Sequence, residues 1–130
     1  MDKEELTKEW LHFADMDLLA AKTLIETMRP APLEIICYHC QQSAEKFLKA
    51  ISISLGFETV KTHDLLKVLD QYRTVFEIPQ EIVIAAGTLS QFATKTRYPQ
   101  EFSVDEARTR NAVALAEKVK AWTESVIKVK

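Results

Sequence analysis

The chain has 130 residues, of which only 2 are glycine and 4 proline, where average usage gives about 9 and 6. That scarcity excludes the many tight turns of a sandwich or barrel and a glycine-rich phosphate loop, and the length suits one domain over residues 1–130. With 17 Lys and Arg against 19 Asp and Glu the formal charge is −2, which excludes a general coat for nucleic acid or anionic membrane and leaves room only for a local basic patch.

The opening residues Met1-Asp2-Lys3-Glu4-Glu5 show no basic region followed by an apolar run, so no secretory signal is expected. Two cysteines and no export signal predict a cytoplasmic protein with free thiols. Leu6, Trp10, Phe13, Ala14, Leu18, Ala21, Leu24, Ile25 and Met28 recur at three- and four-residue steps and predict one long amphipathic helix over about 4–28. Pro30 and Pro32 stop it and open a second helix over about 33–55, with Ile36, Cys40, Ala44, Phe47, Leu48, Ile51 and Leu55 facing inward. Gly56 stands where a C-terminal cap wants it.

Thr62 is the expected N-cap of a third, shorter helix carrying Leu65, Leu66, Leu69 and Tyr72. Pro79 suits the first turn of a fourth, with Ile82, Ala85, Ala86, Leu89, Phe92 and Ala93 on one stripe. The charge-free stretch from 82 to 94 is shorter than the roughly 20 apolar residues of a membrane-spanning helix, so no membrane partner is expected. Pro99 ends that region, and Ser103 and Glu106 have capping-box spacing for a last helix that buries Ala112, Leu115, Ala116, Val119, Trp122, Val126 and Ile127. The expected fold is all-α: an up-and-down four-helix bundle with an additional short helix, five in all.

Cys37-Tyr38-His39-Cys40 has the look of a metal or redox motif. A structural zinc site needs four ligands, and only His12, His39 and His63 remain to help, so the pair reads as small buried thiols and no metal is expected. Asp17 falls close to the apolar stripe of the first helix and demands a cationic partner, either as a register-fixing ion pair or as the orienter of a basic residue in a cleft. Gln42 and Lys46, like Glu45 and Lys49, are four apart and share faces of the second helix, a pattern that ordinary solvated faces also show. His63 and the pair Arg97-Tyr98 fall at helix ends or loops, where an Arg forks onto phosphate, a ring stacks on a base and a helix start offers backbone donors.

The order Trp10…Ala14…Asp17-Leu18…Ala21, Gln42-Ser43-Ala44-Glu45-Lys46-Phe47-Leu48-Lys49-Ala50, Thr62-His63-Asp64-Leu65 and Arg97-Tyr98-Pro99 resembles the HEPN family (higher eukaryotes and prokaryotes nucleotide-binding domain) over about residues 6–125. The resemblance implies a helical bundle, commonly a homodimer, acting on a nucleotide or RNA. In several prokaryotic members it also implies a partner, a separately encoded minimal nucleotidyltransferase, sometimes as a toxin–antitoxin pair. It makes Lys46, Lys49, His63, Arg97 and Tyr98 the nucleotide-binding candidates, supported by Asp17, Gln42 and Glu45.

Nuclease members of the wider superfamily carry an arginine, four to six residues and a histidine. Here Arg97 is followed by Tyr98-Pro99-Gln100-Glu101-Phe102-Ser103-Val104, and no histidine occurs after His63. The general acid/base of such a site is missing from its place. The expectation is a nucleotide- or nucleic-acid-end-binding domain that needs no cofactor and has no catalytic residue of its own. An RNase with an altered site and a purely interacting dimeric module are the alternatives.

Overall fold

The computed structural model describes residues 2–93 and 104–127. Among them lie five α-helices and no strand: α1 Lys3–Thr27, α2 Leu33–Ser54, α3 Leu65–Asp70, α4 Gln80–Ser90 and α5 Glu106–Val126. The expected helical bundle is observed, with α4 shorter, at 11 residues, than the long helix its apolar stripe suggested. No helix among the described residues is long and apolar enough to cross a membrane.

Local chemistry sets most of the ends. Asp2 caps α1 by accepting from the Glu5 amide at 2.8 Å, and Arg29 Nη1 donates to the Ile25 and Met28 carbonyls at its far end. At the end of α2, Gly56 takes φ +86°, its amide donates to Ile53 O and the Phe57 amide to Ser52 O. That is a Schellman closure, and only glycine enters the left-handed region without strain. Two caps differ from expectation. Asp64, not Thr62, caps α3 by accepting from the Leu66 amide at 3.0 Å, while Thr62 Oγ1 accepts from the Asp64 amide. Asp105 caps α5 by accepting from the Arg108 amide at 2.8 Å; Ser103 lies outside the described residues.

α2 is the axis of the bundle and packs against each of the other four helices. Fourteen of its 22 residues are buried, so it has almost no solvent face and must bury polar residues as well as apolar ones. Ala14, Leu18, Ala21 and Ile25 of α1, Ile36, Phe47, Leu48 and Ile51 of α2, Ile82 and Leu89 of α4, and Ala112, Ala116 and Val119 of α5 form the shared core. Leu65, Val68, Leu69 and Tyr72 close it, and Tyr72 donates its hydroxyl to Leu48 O at 3.1 Å. Both cysteines are buried and free, and both thiols are less acidic than usual, Cys40 the more so, because burial penalises the thiolate.

α1 and α5 run antiparallel, as the pairs Lys120–Asp15, Lys22–Glu117 and Arg110–Glu26 show. The stripe of α1 is wider than its neighbours can cover. Phe13 and Met28, expected inside, are 50% and 49% exposed.

Candidate functional site

α2 carries two polar rows at helical spacing. His39, Gln42 and Lys46 lie toward α1, whereas Gln41, Glu45 and Lys49 lie toward the connection between α2 and α3. Gln42 Nε2 donates to Gln41 Oε1 at 2.7 Å and joins the rows. Gln41, Ser43, Glu45, Lys49 and Ser52 are all buried, so the face carrying Glu45 and Lys49 is interior, whereas Gln42 and Lys46 stay partly exposed.

The first centre is Asp17. Its carboxylate receives Lys46 Nζ at 2.5 Å on one oxygen and His39 Nδ1 at 3.0 Å on the other, with the acid side chain only 14% exposed. Three residues earlier, Ala14 O accepts from Ser43 Oγ at 2.9 Å. These contacts fix the register of α1 on α2 at two successive turns. The cationic partner that Asp17 requires is therefore Lys46, 29 residues away. Arg97 lies outside the described residues.

The second centre is Glu45. Gln41 Nε2 donates to it at 2.9 Å, Lys49 Nζ at 3.0 Å and His63 Nδ1 at 3.0 Å. Burial alone pushes the Glu45 carboxyl upward, but these hydrogen bonds and the Lys49 charge outweigh it and hold the carboxyl below its ordinary range. Lys49 is 8% exposed and turned onto Glu45. The charge of Lys49, one of the nucleotide-binding candidates, is thus directed at the buried carboxylate.

His63 is different: its side chain is 61% exposed. A carboxylate only accepts, so Nδ1 carries the proton in this hydrogen bond and Nε2 is the nitrogen left for a ligand. Gln41 Nε2 also donates to the His63 carbonyl at 3.3 Å, so backbone and ring are both held from α2. His63 borders a cleft with Asp64, Leu66, Gly87, Ser90, Gln91 and Ala93. The start of α3 offers this cleft no open donor, contrary to expectation for a helix start. Leu65 N donates to Ser90 Oγ at 2.9 Å, Leu66 N to the Asp64 side chain, and Lys67 N and Val68 N to Asp64 O.

Of the sequence-derived candidates, the structure brings Asp17 and Lys46 together in one centre and Glu45, Lys49 and His63 in the other, with Gln42 between them. Arg97 and Tyr98 lie outside the described residues. Sequence reasoning missed His39 and Gln41 as network members. Their spacing to Lys46 and to Glu45 was the available signal, masked by the Cys37-Tyr38-His39-Cys40 pattern. No group of three His, Cys, Asp or Glu side chains poised to hold a metal occurs among the described residues.

The HEPN domain family model matches residues 7–126. No curated protein matches the chain in sequence. Among solved structures, TT1696 from Thermus thermophilus superposes with TM-score 0.83 at 24% identity, covering 93% of this chain and 98% of its own. ST0689, described as an archaeal HEPN homologue, superposes with TM-score 0.73 at 21% identity, covering 95% and 98%. At these identities the two structures speak for the fold alone.

Proposed function

The chain belongs to the HEPN domain family, and from that membership we propose that it binds a nucleotide or the phosphorylated end of a nucleic acid at the cleft beside His63. The observation that carries this reading is an exposed imidazole held by a buried, hydrogen-bonded carboxylate at the cleft's edge. His63, the most exposed member of the network, borders this open cleft, whereas a purely structural ion network has no need of such a position. Ala93 lines the same cleft, and Lys95, Arg97 and Tyr98 follow it within five residues of sequence. Arg97 is the anion clamp of this proposal, with His63 Nε2 and Tyr98 contacting base or ribose. Asp17, Lys46, Glu45 and Lys49 hold the scaffold and do not touch ligand.

In the same proposal the chain acts as a homodimer and together with a separately encoded minimal nucleotidyltransferase. The dimer draws support from Phe13, Met16 and Leu19, exposed at three-residue steps along α1. The nucleotidyltransferase partnership rests on the likeness to prokaryotic HEPN proteins that have one. Calorimetry with ATP, GTP and CTP tests the ligand reading. Binding that His63→Ala and Arg97→Ala each weaken by about tenfold or more is expected. No binding at millimolar ligand by folded protein would overturn the small-nucleotide form.

A further inference from the structure

Trp10 belongs to neither polar centre, yet its surroundings are unusual for a bundle surface. Lys3, Leu6 and Trp10 share one face of α1 at steps of three and four residues. Against them stand Ile53 from the last turn of α2 and the segment after the Schellman closure, with Phe57, Thr59 and Lys61. Together they form a groove of about 530 Å³ with a mainly apolar floor. Phe57 remains 40% exposed beside it.

Two cations rim this floor without anions of their own. Neither Lys3 nor Lys61 makes an ion pair or side-chain hydrogen bond among the described residues, although acids stand nearby in sequence. Glu4 pairs with Lys8, and the Asp2 carboxylate is taken by the Glu5 amide. Glu58 is the one acid on the lining and forms no ion pair with either lysine among the described residues, which leaves the rim with a net positive charge. The groove is more open than enclosed. A bulky apolar side chain delivered by a protein segment fits the floor formed by Leu6, Trp10, Ile53 and Phe57, and unpaired lysines at the rim match acids beside that anchor.

We propose that this groove docks a segment of a partner protein in which a bulky apolar residue is flanked by acids, the anchor packing on Trp10 and Phe57 and the carboxylates meeting Lys3 and Lys61. Its lining shares no residue with the cleft beside His63. Selection from a random peptide display library on the full chain tests it, followed by fluorescence polarisation on the enriched peptides. Enriched sequences should combine Leu, Phe or Trp with Asp or Glu, and bind about tenfold more weakly to Trp10→Ala and to the double variant Lys3→Glu/Lys61→Glu. The lysines are exposed, so the charge reversal keeps the fold even if the Trp10 variant does not. No enrichment, basic peptides, or affinity unchanged by the charge reversal would overturn the proposal. So would loss of a homodimer in Trp10→Ala, which would make a second copy the occupant.

Discussion

Glu45 shows how much a single residue depends on its donors. It is buried, yet three side chains keep its carboxyl below the ordinary value of 4.5. Because folding lowers this pKa, the stability it contributes is complete above the ordinary carboxylate range and is lost as pH falls through the lowered folded value. Urea denaturation should find the wild type more stable than Glu45→Gln by about 1–3 kcal/mol at pH 7. That gap should narrow steadily below pH 4.5. The cysteines give a second expectation. Burial raises both thiols, so an aromatic disulfide reagent at pH 8 should label native protein at least about tenfold more slowly than urea-unfolded protein. At this scale the sequence revealed that Asp17 needed a cation, since a charge on an apolar stripe must be paired. It did not reveal Lys46 as that cation, because a partner 29 residues away depends on how two helices slide against each other.

Some helix ends were legible because one residue decides them. Gly56 is such a case, and its φ of +86° with nothing within 4 Å of an added Cβ separates backbone strain from steric clash. Gly56→Ala should therefore cost about 1 kcal/mol, read as a shift of the urea midpoint at unchanged slope. The start of α3 was misread by two residues, since Thr62, Asp64 and Ser90 all supply oxygens there and only the fold brings Ser90 to the Leu65 amide. The Glu45–Lys49 row of α2 was misread as solvated for a related reason. An i,i+4 pattern of Glu45 and Lys49 is identical on an exposed helix and on one enclosed by four neighbours. Helical periodicity names the faces of a helix, but not how many of them are covered.

For the whole molecule, the low glycine count and unbroken helical periodicity made the all-α bundle readable, whereas the pairing of helices was not. The proposed homodimer belongs to this scale. Light scattering after size exclusion should give about twice the 14.9 kDa chain mass, and Phe13→Glu with Leu19→Glu should return it to one, because a buried unpaired carboxylate disrupts an apolar interface. The central claim concerns the cleft where Glu45 presents His63. It is tested most directly by fluorescence anisotropy of one short RNA with and without a terminal phosphate, against wild type, His63→Ala and Arg97→Ala. Tighter binding of the phosphorylated strand is predicted, with that preference lost in Arg97→Ala and overall affinity reduced in His63→Ala. Equal affinity for both strands, unchanged by either substitution, would contradict it.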